Sequence, residues 1–412
     1  MSSVLQVPYD IVAQIIDNVG ENNDISLVKK LALVSHSFNE ICSKHLFATV
    51  DLYDYVPMGK PSSKSGFVKL LKRRPEVVNY IRKLTYQPSP FASDKEDDLF
   101  SPILPNFLRT IPFLNCLTIN ASGTANWKTL DSSLTSALLH LMHLPTINHI
   151  DLSSIENFPL FSLTSSVNLR RLDIFNLSIE EDDLPEIVVL SEMMPKIHEF
   201  HTSGCSRLTT KLLHAKRLDG QPAFNFMDLR RLSLYLTHFV DESNFRYLLQ
   251  NATLIDKLNL SVAYDGSFVG LHDILSPCAH TLKDLDFTVY LTSFPQPLAG
   301  LCEELEAMAG HNIVEALSFK VMADEGGETE ESIGSIIQKV EEALVKPGWS
   351  ALRQVSIDIE IPSWRDDGDE LSKALQSLPD RYLSHLPKLE SVAFNYECNN
   401  NQEFYPMNSD SD

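Results

Sequence analysis

The side chains of this chain best able to do chemistry are its histidines, cysteines and acidic runs. His140 and His143 stand three apart in Leu138-Leu-His-Leu-Met-His-Leu144, which puts both rings on one side of a helix. Two imidazoles can begin a metal site, but no carboxylate or cysteine lies close in sequence to complete it. The pair therefore reads as a partly exposed helix face. Cys42-Ser-Lys-His45 has ligand-like spacing too, and packing is the better reading. Asp94–Asp98, Asp324–Glu331 and Asp366–Glu370 are acidic runs with the character of solvated loops. Asp366-Asp-Gly-Asp-Glu370 is too short for a calcium loop, which needs alternating oxygen ligands around a glycine turn. The six cysteines (Cys42, Cys116, Cys205, Cys278, Cys302, Cys398) form no CxxC pair and read as small buried hydrophobes in a reducing compartment. No GxSxG, GxxxxGK[ST], HExxH or GxGxxG occurs. The expectation is a chain without catalytic residues, metal, cofactor or small-molecule substrate.

Composition bounds the elements that hold these residues. The 412 residues are 43% hydrophobic and 22% charged, which excludes wholesale disorder and allows a large core. A net charge of −21 disfavours general nucleic-acid binding. Leucine is in excess, at 58 residues or about one in seven, as long helical or repeat cores require. No run approaches 18 apolar residues, and the N-terminus lacks a basic segment followed by an apolar core. A cytoplasmic or nuclear protein with no membrane association is expected, and the four Asn-x-Ser/Thr sequons at Asn120, Asn176, Asn251 and Asn259 read as chance. Charge is uneven. Residues 1–90 hold 11 Lys+Arg against 8 Asp+Glu, so the later part carries all the net acidity. Lys60, Lys64, Lys69, Lys72, Arg73 and Arg74 form an acid-free basic stretch. It begins in a turn-rich segment, Pro57 to Gly66, that reads as a linker or exposed loop. From Phe67 the apolar spacing is helical, and the later charges should line a solvated face.

The first 50 residues read as three short helices. Pro8, then Ile11, Ile15, Ile16 and Val19, give an amphipathic helix with proline in its first turn, and Gly20 should end it. Asp24 can cap a second helix with Ile25, Val28, Leu31 and Ala32 on one side. Ser35 or Ser37 can cap a third, with Ile41, Leu46 and Phe47. So small a unit buries its apolar faces poorly alone, so a partner or the following domain must cover part of it.

Val7-Pro8-Tyr9-Asp10-Ile11, the apolar helix and Leu31-Ala-Leu-Val-Ser-His-Ser-Phe38 resemble an F-box. The usual Leu-Pro-x-Glu-Ile start appears with Val7 for leucine and Asp10 for glutamate. The Leu-Val-Cys-(Lys/Arg)-x-Trp-like segment appears with Ser35 for cysteine and Phe38 for tryptophan. The stretch around Val34-Ser-His-Ser-Phe38 and His45-Leu-Phe47 is similar to fungal members. The resemblance spans residues 4–50 and implies docking on a Skp-type adaptor, which joins a cullin and RING ubiquitin ligase. It implies adaptor contacts at Val7, Pro8, Tyr9, Asp10, Ile11, Ile15, Leu31, Leu33, Val34, Ser35 and Phe38.

The remainder reads as a repeat. A six-residue pattern, apolar at its first, fourth and sixth positions, recurs in eleven copies, one of which ends on Thr202 instead of an apolar residue. It starts at Ile81, Leu114, Ile147, Leu169, Ile197, Leu229, Ile255, Leu282, Val314, Leu352 and Leu389. Successive starts lie 22 to 38 residues apart. The fifth position is small or polar in every copy. Most gaps hold a helical stretch: Leu134–Leu144, Leu184–Met194, Phe245–Leu249, Leu298–Met308, Ile333–Leu344 and Leu371–Leu386. Period 2 giving way to period 3.6 at about 30 residues is the leucine-rich-repeat arrangement. The copies are degenerate, with irregular spacing and no asparagine at the turn.

The fold class expected is α/β: an F-box-like helical module (1–50), a linker with a basic helix (51–78), a leucine-rich-repeat-like solenoid with a parallel sheet (79–400) and a disordered acidic tail (401–412). Eleven strands at ~4.8 Å would span an arc of about 48 Å, which suits a protein partner better than a metabolite. Lys83, His149, Asp151, Asp284, Asp286 and Lys320 should point to that arc. So should Arg171, Asp173, Phe175, Arg231, Tyr235 and Lys257, the candidate target contacts. The expected role is the substrate-recognition subunit of a Skp–cullin–F-box ligase. The alternative is a non-ligase repeat scaffold whose first helices only cap the solenoid.

Overall fold

The computed structural model describes residues 9–22, 24–53, 63–88, 103–179, 194–217, 219–236, 239–262, 268–291, 300–323, 330–362 and 368–401. Val7, Pro8, Lys60, Asp94–Asp98, most of Leu184–Met194, most of Asp324–Glu331, Asp366 and the tail after 401 lie outside the described residues. Contacts divide the chain into two compact units, Met1–Pro195 with Ala215–Phe224, and Lys196–His214 with Asn225–Asp412.

The first unit opens with three helices, α1 (Tyr9–Glu21), α2 (Ile25–Leu31) and α3 (His36–Leu46). Their own small core is Ile16, Val28, Ala32, Ile41 and Cys42, packed by Val12, Val19, Leu31, Phe38 and Leu46. Asp24 Oδ1 accepts the Leu27 N–H at 2.9 Å and Ser35 Oγ accepts the Phe38 N–H at 3.2 Å, so both helix starts carry side-chain caps. Gly20 does not end α1. It lies within the last turn, where a β-carbon would collide with the His45 ring, so glycine permits the approach of α3. Asp17 of α1 holds Lys44 at 2.6 Å and His45 at 2.8 Å on α3. Hydrogen bonds from those two side chains keep the Asp17 carboxyl below the usual carboxylate range.

Strand β1 (Thr49–Leu52) follows α3 directly. After it come α4 (Ser63–Arg73), β2 (Lys83–Tyr86), α5 (Leu104–Leu108), β3 (Cys116–Asn126), α6 (Ser132–Met142), β4 (His149–Glu156) and β5 (Arg171–Phe175). The second unit runs β6 (Glu199–Ser203), α7 (Ser206–His214), β7 (Arg231–Leu236), α8 (Phe239–Asn251) and β8 (Lys257–Val262). It continues with α9 (Leu271–Leu275), β9 (Asp284–Leu291), α10 (Leu301–Met308), β10 (Ala316–Ala323), α11 (Glu330–Leu344) and β11 (Gln354–Pro362), and ends with α12 (Gly368–Gln376), α13 (Leu378–Tyr382) and β12 (Ala393–Asn401). Within each unit strand order follows chain order, and every registered pair is parallel. Each unit is therefore an α/β, solenoid-like ladder.

Register shows why the pattern works. Val50, Leu84, Leu117, Ile150 and Leu172 align across the first ladder, as do Phe200, Leu232, Leu258, Leu285, Leu317 and Val355 across the second. All of these except Val50 are buried. Alternate side chains face away from that core. The two residues after the first apolar position form the corner of each coil. There one carbonyl receives two consecutive N–H groups of the next coil: Ala48 from Arg82 and Lys83, Arg82 from Asn115 and Cys116, Asn115 from Asn148 and His149. In the second unit Arg230, Asp256, Lys283 and Glu315 accept in the same way. Backbone satisfies these corners, so no turn asparagine is needed.

Several expectations change. β1 is a twelfth strand across the boundary drawn between the helical module and the linker, and Phe47, Val50 and Leu52 fit the repeat spacing there. Ser63–Gly66 is not loop but the start of α4, and Lys64 is buried, its Nζ donating to Tyr86 Oη at 3.2 Å and the Gln87 carbonyl at 3.1 Å. Lys69, Lys72 and Arg73 do lie on the exposed side of α4. The 22-residue coil before β5 has room only for a 3-10 turn, Leu160–Ser165. Leu371–Leu386 is two helices, broken before Pro379, which lacks an N–H. The last copy pairs two residues later than its spacing indicates, since Phe394 and not Val392 aligns with Val355.

Candidate functional site

Helix α1 is apolar on two sides. Val12, Ile16 and Val19 turn into the module core, while Tyr9, Ile11 and Ile15 are exposed, Ile15 at 55%. Leu27 of α2 and the α2–α3 turn residues Leu33 and Val34 are exposed as well, at 38%, 86% and 64%. Of the expected adaptor contacts, Tyr9, Asp10, Ile11, Ile15, Leu33, Val34 and Ser35 thus face outward. Leu31 and Phe38 instead pack on the module core, and the Ser35 hydroxyl caps α3. Ile25 and Leu27 are further outward apolar residues, outside the set that the F-box resemblance implies. A seven-residue helix has only two turns and cannot face all four of its apolar residues, Ile25, Leu27, Val28 and Leu31, inward, and that was the available signal.

On the first unit's outer sheet face, register sets Cys116, His149 and Arg171 in one row and Thr118, Asp151 and Asp173 in the next. His149 Nε2 lies 2.9 Å from Asp173 Oδ2, and its Nδ1 lies 3.2 Å from Cys116 Sγ. Arg171 Nε and Nη2 donate to Asp173 at 3.0 and 2.9 Å. Asp173 itself is buried, and His149 is half-buried. Burial works against a charged His149 ring, but the Asp173 carboxylate and the Cys116 sulfur outweigh it and raise the ring to about 9. Burial and the neighbouring Asp173 charge push the Asp151 carboxyl up, and its buried Oδ1 lacks a hydrogen-bond partner. Arg171 and Asp173, expected as target contacts, therefore engage each other and His149, while Phe175 is half-buried on β5. In sequence alone His149 and Asp173 fall on this face, whereas Cys116 reads as a core residue. Superposing the copies on their first apolar residue would have put Cys116 beside His149.

The second unit's outer face is laced with ion pairs: Arg231–Glu199 at 3.1 Å, Lys257–Asp286 at 3.1 Å and Lys320–Glu360 at 2.7 Å. Tyr235 meets Tyr290 edge-on with ring centres 5.6 Å apart. Arg231 and Lys257 share a groove of about 590 Å³ with Arg230, Lys283, Asp256, Asp284 and Glu315. Near-balanced charge in a shallow groove suits a polar protein surface more than a small anion.

His140 and His143 are both exposed, and His143 Nε2 lies 2.9 Å from the Ser162 carbonyl. Among the described residues no cluster of three or more histidine, cysteine or acidic side chains is arranged to hold a metal ion. Among them, too, no helix is long and apolar enough to cross a membrane. No family model matches the chain, and no curated protein matches it.

Proposed function

We propose that this chain is the substrate-recognition subunit of a Skp–cullin–F-box ubiquitin ligase. The observation that carries the reading is the two-sided apolarity of the three-helix module. It has a core of its own, yet Tyr9, Ile11, Ile15, Leu33 and Val34 remain in water. Covering each with a partner is worth about 1–2 kcal/mol, enough in sum for stable docking after association entropy. The F-box resemblance supplies the partner class, a Skp-type adaptor. The outer strand faces, polar and rich in paired charge, are the target-binding surface, with Arg231, Tyr235 and Lys257 the candidate contacts. The chain would act by holding a target near the transferring enzyme.

The scaffold alternative has one observation in its favour. Arg74 Nη2 donates to Ser43 Oγ at 3.3 Å, and its guanidinium lies over the Phe47 ring at 5.8 Å, so α3 is also tied to the first coil. That contact uses the far end of the module and leaves Ile11 and Leu33 exposed.

Titration of the full chain against a purified Skp-type adaptor tests the proposal. Micromolar or tighter binding is expected. Ile11→Asp with Leu33→Asp should weaken it by about 2 kcal/mol or more, roughly 30-fold, with an unchanged circular dichroism spectrum. Absence of binding by the wild type at micromolar concentration would leave the scaffold reading in its place.

A further inference from the structure

The row Cys116–His149–Asp173 joins a sulfur, an imidazole and a carboxylate across three adjacent strands, and adaptor docking does not use it. We infer that Cys116 is a nucleophilic thiol, armed by the His149–Asp173 pair, that is oxidised by hydroperoxides to a sulfenic acid. Sγ lies 3.2 Å from Nδ1 while Nε2 is held 2.9 Å from Asp173 Oδ2, so the ring is fixed by its carboxylate with its other nitrogen aimed at the sulfur. A charged ring donates from both nitrogens, and the sulfur is then the acceptor.

The surrounding charges act in the same sense. Lys83 of β2 stands directly across from Cys116 in register, and Arg171 of β5 flanks His149 on the other side. Asp173 is neutralised by its two cationic partners, and Asp151 of β4 has its carboxyl pushed toward the neutral form. Thr118, next along β3, is directed to Asp151 at 3.5 Å. Cys116 is also half-buried at the sheet surface. Burial pushes the Cys278 thiol to about 12 and the Cys302 thiol to about 11, and raises those of Cys42 and Cys398.

The reaction balances without a cofactor. The Cys116 thiolate attacks one peroxide oxygen, an S–O bond forms and the O–O bond breaks. His149 gives its Nδ1 proton to the departing oxygen, which leaves as water or an alcohol. Sulfur is oxidised to Cys–SOH and the peroxide is reduced.

Two measurements on the full chain test this. In the first, native protein at pH 7 is treated with iodoacetamide, with glutathione as a standard and each cysteine quantified by mass spectrometry. Cys116 should react about fivefold or more faster than glutathione, which exposure alone cannot produce, and at least tenfold faster than Cys42 and Cys278. His149→Gln and Asp173→Asn should each cut the Cys116 rate several-fold. In the second, hydrogen peroxide with dimedone should give the sulfenic-acid adduct on Cys116. A Cys116 rate at or below that of glutathione overturns the inference from wild-type protein alone, even if neither variant folds. A fast Cys116 that both folded variants leave unchanged, or the absence of a dimedone adduct, overturns it as well.

Discussion

The three-helix module and the strand ladders solve the same problem in opposite ways. In the ladders each coil is covered by its neighbours, so aligned residues such as Leu258, Leu285 and Leu317 are all buried, and the outward rows are polar. The module has five buried apolar residues in its core and seven large apolar residues exposed to water. A stack of coils can bury nearly every apolar side chain, because burial grows with the number of neighbours. About forty residues cannot, and here the uncovered remainder is the candidate docking surface. Exposed leucine therefore means different things in the two regions. Among the ladder strands it would be a defect, and in the module it is the feature that points to a partner.

The largest effect that sharpens this contrast belongs to the ladder core. Phe287 of β9 stacks on Phe319 with centres 5.5 Å apart, meets Phe268 edge-on at 5.4 Å and is fully buried. Phe287→Ala should cost about 3–5 kcal/mol in urea unfolding, since three coils share the cavity it leaves. A loss under about 1 kcal/mol would mean that the ladder is not packed as described.

A middle-sized effect lies on the ladder's outer face. His149 is raised above its unfolded value, so its pairing stabilises the fold fully below about pH 6.5 and is lost as pH rises through about 9. Asp173→Asn removes most of that pairing. The stability gap between wild type and Asp173→Asn should be widest near pH 6 and narrow toward pH 9.5 by about 2 kcal/mol, allowing for the ring's partial exposure. Thermal or urea unfolding across that range measures it. A gap independent of pH would show that His149 is not charged in the folded chain.

Much of this was legible in the residues. The spacing of apolar, apolar and apolar residues located strands β2 to β11, because the register that buries one coil buries the next at the same positions. β1 is harder to see because Phe47, Val50 and Leu52 straddle the boundary between the helical segment and the linker, although their spacing is that of the repeat. β12 was placed but misregistered: Val392 and Phe394 both suit the pattern, and only pairing with β11 decides between them. The Cys116–His149–Asp173 row was hidden for a different reason. Its members lie 33 and 24 residues apart, and only stacked coils bring them together. The F-box resemblance gives residue types at Leu31 and Phe38 and not the side of a short helix on which each falls, and both are partly buried against the module core.

The smallest effect would break the comparison most cleanly. Leu33 is 86% exposed, so in the isolated chain Leu33→Ser should change stability by less than about 0.5 kcal/mol, although in the ladder a leucine-to-alanine change should cost ~2–5 kcal/mol. Urea unfolding of the two proteins side by side measures the difference. A loss above about 1.5 kcal/mol would place Leu33 against some other part of this chain and remove it from the docking surface. A near-zero change, with weaker adaptor binding by the same variant, would assign its apolar area to the partner, because the side chain would then contribute to association and nothing to the fold.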